Sequence, residues 1–262
     1  YDSKPVQFMD FKKALFHSQQ ECQEVGFLAN IIENHDEPRG VNRFLPDHAQ
    51  NPAGAKMLGT ISILLRGIPF LYQGQEIGMQ NCPMDSIDDY DDISTHNEYL
   101  TALEAGLSKD EALKVCCLNS RDNARTPMQW DASANAGFTS QTPWLKVNPN
   151  YKDLNVKAQL ADENSVLCYY KKLLALRKSP EYRELFTYGK FVPLFEDDPD
   201  LFAYERTLEG KTVTVLANFG RTAKTLTLAI GSEADILLNS QPQADIHNGQ
   251  ISLNSCQVIV TG

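Results

Sequence analysis

Long apolar runs are missing from this 262-residue chain. The stretch from Ile61 to Leu65 stops at Arg66, far short of the roughly 20 residues a membrane span needs. Positive charge is scarce as well. There are 24 Lys and Arg against 34 Asp and Glu, for a net charge of −10 and a pI of about 5.0. Such an acidic chain is a poor partner for nucleic acid or an anionic membrane, and neither is expected. It suits a neutral substrate, which needs no charge steering. The six cysteines, Cys22, Cys82, Cys116, Cys117, Cys168 and Cys256, have neither zinc-site nor CxxC spacing. They read as buried reduced thiols, and a reducing cytoplasm is the expected compartment. Internal repeats, low-complexity linkers and a signal-peptide pattern are also lacking, and no cofactor is expected. The chain opens on Tyr1 rather than Met, so a piece of a longer or processed protein is expected.

What is present is an ordinary core fraction, 42% hydrophobic, enough for one large domain or two smaller ones. A helix is predicted from Phe8 to Gln23 and ends at Gly26. A strand over 27–33 follows, Phe27-Leu28-Ala29-Asn30-Ile31-Ile32, and breaks abruptly into Asn34-His35-Asp36 and Pro38. Asn51-Pro52 then starts a second helix, over 52–66, with Asn as cap and Pro in the first turn. Its apolar positions Met57, Ile61, Leu64 and Leu65 fall at helical spacing, and Gly67 stops it. A second apolar strand, Ile68 to Tyr72, ends in Gln73-Gly74-Gln75-Glu76-Ile77-Gly78. Continuous apolar strands alternating with helices predict parallel strands buried on both faces.

A long excursion over 79–154 comes next, with helical segments near 94–117 and the loop from Ser120 to Asp131. A loop of that length is expected to be functional. Over 155–178 the spacing of Val166, Tyr170, Leu173 and Leu174 predicts one amphipathic helix, ended at Ser179-Pro180. From about 188 short apolar runs recur: Leu201–Glu205, Val213–Asn218, Thr225–Ala229, Ile236–Leu238 and Gln257–Val260. Turn residues such as Asn248-Gly249 separate them, and an antiparallel sandwich is expected.

Four stretches carry chemistry: Asn34-His35-Asp36-Glu37-Pro38-Arg39, Gly67 through Met79, Arg121-Asp122-Asn123-Ala124-Arg125-Thr126-Pro127-Met128-Gln129-Trp130-Asp131, and Val147-Asn148-Pro149-Asn150-Tyr151. Together they closely resemble the C-terminal half of the oligo-1,6-glucosidase and dextran glucosidase group of the α-amylase clan. That group also holds trehalose-6-phosphate hydrolases and sucrose isomerases. The resemblance runs from about residue 10 to the end, and the Arg121–Trp130 string is its most specific part.

The resemblance implies an α/β plus all-β fold. Residues 1–180 would be the last strands and helices of a (β/α)8 TIM barrel, and 181–262 a C-terminal antiparallel β-sandwich domain. It implies a retaining α-glucosidase acting on α-1,6-linked gluco-oligosaccharides. By match to the family pattern, Asp36 is the carboxylate that stabilises the transition state. His35, Arg121 and Arg125 are substrate-binding, with Arg121 paired to an acid early in the barrel. The family's nucleophilic Asp and acid Glu belong to strands four and five, upstream of Tyr1, so the isolated chain is expected to be inactive. Self-association, or association with that missing part, is expected to cover an open strand edge. A sucrose isomerase is disfavoured because no arginine-rich loop follows Asp36.

Blander readings accompany these. Asn34-His35-Asp36 alone reads as a strand-end turn with a capping Asp. Glu37 reads as a solvated loop acid, and Trp130 as packing under the long loop. The run Asp85, Asp88, Asp89, Asp91, Asp92 lacks calcium-loop spacing and reads as a solvated helix start. His17, His48, His96 and His247 show no ligand spacing, and no metal is expected.

Overall fold

The computed structural model describes residues 6–227, 235–242, 245–247 and 249–262. The first elements are α1 (Phe8–Cys22), β1 (Ala29–Ile31), α2 (Gly40–Phe44), α3 (Pro52–Ile63) and β2 (Ile68–Phe70). Then come α4 (Ile93–Glu104), α5 (Lys109–Asn119), α6 (Asp122–Arg125), α7 (Val156–Leu160), α8 (Val166–Lys178) and α9 (Arg183–Tyr188). The strands β3 (Lys190–Leu194), β4 (Leu201–Leu208), β5 (Lys211–Asn218), β6 (Lys224–Thr227) and β7 (Ile236–Asn239) follow, and β8 (Asp245–His247), β9 (Gln250–Leu253) and β10 (Val258–Thr261) close the chain. By compactness the chain divides into two units.

One unit comprises Val6–Ile31, Leu45–Phe70 and Tyr169–Gly262. In it β1 and β2 pair in parallel, with Asn30 opposite Pro69. The expected strands shrink to three residues each. Burial on both faces is also corrected: Ile31 is 45% exposed, Ile68 58% and Phe70 49%. A strand's faces are hidden by its neighbours, and among the described residues these two pair only with each other. Asn30 is buried because Gln19 Nε2 donates to its Oδ1 and its own Nδ2 reaches Arg66 O.

Helix α3 starts as its sequence suggests, with Asn51 Oδ1 accepting from the Ala53 and Gly54 amides. It is buried from Gly54 through Ile63, between β1 and β2 and the sheet strands β5 and β10. Gly59 lets it come close to α8, because a Cβ there would fall on the Tyr170 phenol. Beyond its last turn the chain leaves carbonyls without helical partners. Two guanidiniums collect them, that of Arg206 buried and that of Arg177 partly so. Arg177 donates to Ile63 O and Gly67 O at 2.6 and 2.7 Å, and Arg206 to Leu64 O at 2.7 Å. Arg206 also donates to Leu185 O and Gly189 O, and burial pushes its pKa down to about 9.

The antiparallel part is a sandwich, as expected. A five-stranded sheet, ordered β3-β4-β5-β10-β7, packs on a three-stranded sheet, β6-β9-β8. Leu201, Ala203, Leu216 and Ile259 from the first meet Leu226, Ile251 and Leu253 from the second. The expected strand Thr225–Ala229 is seen to Thr227, while residues 228 and 229, and 248 of the expected turn, lie outside the described residues. Three strands went unforeseen: β3, β8 and β9. In β9 the period-2 signal was present, since Ile251 and Leu253 are buried between polar residues.

The other unit holds Ile32–Phe44 and Leu71–Cys168, with small cores around Tyr90, Cys82 and Cys116 and around Ile77, Met79 and Met128. The single helix expected over 155–178 is two. Between α7 and α8 the side chains of Asp162 and Ser165 take over the backbone, with Asp162 Oδ1 accepting from Asn164 N and Ser165 Oγ from Cys168 N. Trp130 does not pack under the loop; it is 50% exposed. All six cysteines are free thiols, but only Cys82, Cys116 and Cys256 are buried.

Replacing Arg206 by Met should cost about 2–4 kcal/mol, because three carbonyls lose a charged donor at once. Urea unfolding checks it, and Arg206→Lys should recover little, because an ammonium cannot span the three acceptors.

Candidate active site

All four expected site residues lie in the unit formed by Ile32–Phe44 and Leu71–Cys168, and the fold brings them together. The chain leaves β1 and turns at 35–36, where Asn34 Oδ1 accepts from the Asp36 amide. That turn presents the Asp36 carboxylate outward, with its side chain 55% exposed. Arg121 Nη1 lies 3.5 Å and Arg125 Nη2 3.3 Å from Asp36 Oδ1, and His35 Nε2 lies 3.3 Å from Oδ2. Arg125 Nε also donates to His35 O at 2.9 Å, which clamps the turn. One exposed carboxylate thus sits among two guanidiniums and an imidazole that is 71% exposed.

A buried layer supports this exposed one. Asp92 caps α4 by accepting from Ser94 N, and it grips Arg121 with both oxygens, at 2.9 Å to Nε and 2.5 Å to Nη2. Asp122 Oδ2 accepts from the Asp91 and Asp92 amides at 2.8 Å each, while its Oδ1 accepts from Arg125 Nη1. Both carboxylates are hidden, with side chains 4% and 0% exposed. Thr95 Oγ1 adds a bond to Asp92 Oδ2. One expectation is therefore corrected: Asp92 is not part of a solvated helix start. Within this chain Arg121 pairs with Asp92.

Beneath both layers lies a pair unforeseen in the sequence. Arg39 and Glu33 have side chains 0% and 1% exposed, with Nη1 to Oε2 at 3.3 Å. Arg39 also donates to Gln73 O, Asn123 O and Ala124 O, and Glu33 Oε1 accepts from Gly40 N. Burial pushes the Glu33 carboxyl up, against the pull of Arg39 and the Gly40 amide. Glu37, expected to be solvated, pairs with Arg43. Asp92 had one usable signal, its place as an N-cap before a helix; Glu33 and Arg39 had none. Among the described residues no group of three His, Cys, Asp or Glu is placed to hold a metal ion. No described helix is long and apolar enough to cross a membrane.

A carboxylate flanked by guanidinium donors can accept from and donate to vicinal hydroxyls at once, which is sugar-binding chemistry. Comparison with known proteins shows the family. Residues 1–188 match the alpha amylase catalytic domain, and 201–260 match the alpha-amylase SusG C-terminal domain. The chain belongs to the alpha-amylase family of glycoside hydrolases. The fold is that of part of an alpha-amylase catalytic domain, of TIM-barrel type, with a C-terminal antiparallel sheet domain.

Among its relatives, an oligo-1,6-glucosidase of Halalkalibacterium halodurans is 44% identical over 219 residues, 84% of this chain and 38% of that protein. A trehalose-6-phosphate hydrolase of Escherichia coli is 40% identical over 214 residues, 82% of this chain and 38% of that protein. A solved trehalose-6-phosphate hydrolase of Bacillus licheniformis superposes with a TM-score of 0.91 at 35% identity, covering 98% of this chain and 47% of that one. An isomaltulose synthase of Erwinia rhapontici, solved with D-glucose, gives 0.90 at 37% identity, covering 98% and 46%. The chain thus spans less than half the length of these relatives.

The Arg121 hydrogen bonds hold the Asp92 carboxyl below its ordinary value of 3.8, against the opposing effect of burial. A carboxylate with a depressed folded pKa contributes stability above pH 3.8 and loses it as pH falls through the folded value. Asp92→Asn should therefore cost about 1 kcal/mol near neutral pH, the solvent around Arg121 screening the rest. It should also flatten the loss of stability below about pH 4. Urea midpoints measured near neutrality and near pH 3 check both.

Proposed function

We propose that the chain is part of a retaining α-glucosidase that cleaves α-1,6-glucosidic bonds of isomalto-oligosaccharides or dextran ends. The observation that supports it is the exposed Asp36 carboxylate held between Arg121 and Arg125 in a member of this family. In this reading Asp36 stabilises the transition state. Its bonds to the sugar hydroxyls shorten as the ring flattens, so it binds the distorted sugar better than the ground state. His35, Arg121 and Arg125 hold the same glucose. A trehalose-6-phosphate hydrolase is the second reading, suggested by relatives of that name. It is less favoured because both guanidiniums at the site already face carboxylates, Asp36, Asp92 and Asp122.

A retaining glycosidase needs two carboxyl groups about 5–5.5 Å apart that flank the scissile bond. Asp92 and Asp122 are poor candidates, since both are buried and their oxygens are engaged by Arg121, Arg125 and backbone amides. We infer that the nucleophilic Asp and acid Glu come from elsewhere in a longer protein, and that this piece alone is an inactive, sugar-contacting fragment. Its barrel part would be 1–180 and its β domain 181–262. The half-exposed Ile31, Ile68 and Phe70 support association with the rest of a barrel, or with a second copy. The free thiols support a cytoplasmic setting.

Incubated with isomaltose or p-nitrophenyl α-glucoside, the isolated chain should release no glucose or nitrophenol. Turnover that disappears on Asp36→Ala would overturn the inferred inactivity. In the longer protein Asp36→Asn should lower kcat by several orders of magnitude, and near-full activity in that variant would remove Asp36 from its assigned role.

A further inference from the structure

We propose that Glu98 is a proton-operated latch in the hairpin of α4 and α5, closed when its carboxyl is neutral and loosened when it is ionised. The proposal uses no part of the glucosidase reading and stands or falls apart from it.

The hairpin is the arm from which Arg121 emerges. Asp92 caps its first helix, and Ser120 ends its second. The polar contacts that tie the arm gather at this root. Thr95 Oγ1 and Ser120 Oγ lie 2.8 Å apart, Cys116 Sγ donates to Thr95 O at 3.7 Å, and Asp122 Oδ2 accepts the Asp91 and Asp92 amides. The arm rests on the small core of Cys82, Met84, Tyr90 and Cys116. Elsewhere its apolar groups meet water: Ile93 is 74% exposed, Leu100 57% and Leu118 47%. An element that buries so little apolar surface opens locally at small cost, so one badly placed charge can decide its state.

Glu98 lies on the seam between the two helices. Thr95, Glu98 and Ala102 are spaced i, i+3 and i+7, which puts them on one face of α4. Thr95 and Ala102 are buried there, and Ala112 and Cys116 are the buried residues of α5. Between Thr95 and Ala102, Glu98 brings a carboxylate into the contact and gives up part of its water. Asp92 repels it from the cap of α4, and Arg121 attracts it from the exit of α5. Across the seam its charge is felt by the Cys116 thiol. His96 is also on α4, but it lies two residues away, on another side of the helix, with Nε2 2.8 Å from Tyr90 O.

Arg121 cannot fully offset the burial of Glu98, because Asp92 already holds its Nε and Nη2 at 2.9 and 2.5 Å. The Glu98 carboxylate makes no hydrogen bond or ion pair among the described residues. Of two acids beside one guanidinium, the one without the bonds takes up a proton first. Burial, and then the Asp92 charge, hold the Glu98 carboxyl above its ordinary 4.5. The closed hairpin thus binds more protons than the open one between pH 4.5 and the raised value. Its stability falls as pH rises through that window and stays lower above it.

Hydrogen exchange of the whole chain at pH 5 and pH 8 tests this, with rates corrected for the intrinsic effect of pH. Amides of α4 and α5 should be about two- to fivefold less protected at pH 8. The Val156 and Lys157 amides, bonded to Gln129 O and Trp130 O in the same unit, serve as the reference and should change little. Glu98→Gln has nearly the same shape without the charge, and should keep the pH 5 protection at both values. Circular dichroism confirms that it is folded, and the comparison of the parent chain at two pH values needs no variant. The proposal fails if α4 and α5 of the parent are equally protected at both. It fails too if the reference amides lose protection to the same degree, since the whole unit would then be opening. A pH effect that survives in folded Glu98→Gln, where His96 is still in place, would assign the change to another group and overturn it.

Discussion

The buried guanidinium of Arg39 is the constraint on which the candidate site depends. A charge removed from water must have its donors satisfied or the fold is lost. Arg39 meets this by bonding to Glu33, Gln73, Asn123 and Ala124. Those acceptors lie on three separate stretches of chain, the last of them in α6. Asp36 sits on the first, between Glu33 and Arg39, while Arg121 and Arg125 flank the Asn123-Ala124 stretch. The groups offered to solvent are therefore located by a charge pair that solvent never reaches.

Above that pair the site is ordered by depth. Asp122 holds the backbone amides at the start of α4 and one amino group of Arg125. Asp92 takes both free faces of Arg121. What these acids leave over is one amino group of each arginine aimed at Asp36. A flexible arginine would lose side-chain entropy on gripping a sugar; here most of that loss is taken on folding. The same logic recurs in the other unit, where Arg177 and Arg206 close the end of α3 with hydrogen bonds to carbonyls instead of carboxylates.

Much of this was legible in the chain. The Asn51-Pro52 start of α3, the turn after β1 and the apolar runs of β4 and β5 are local signals, and each took the form expected. The grouping of Asp36, His35, Arg121 and Arg125 came from a family pattern, and the fold brings all four together. The failures were of another kind. The helix over 155–178 split because Asp162 and Ser165 bond their own backbone, which periodicity does not register. The strands β1 and β2 are apolar yet half exposed, because composition reports what a strand is suited to touch, not what this chain places beside it.

By itself the sequence determined α1, α3 and the passage from a helix-and-strand part to an antiparallel part, the acidic charge balance, and the family to which Asn34-His35-Asp36 and the Arg121–Trp130 string belong. These depend on spacing and on side-chain chemistry within a few residues. Only the tertiary structure decided that Asp92 serves Arg121, and that Glu33 and Arg39 rather than any exposed charge hold the loops. It also decided that Trp130 and Trp144 face water. Such choices join groups about 30 residues or more apart or set burial, and both follow from which surfaces meet once the chain has closed on itself.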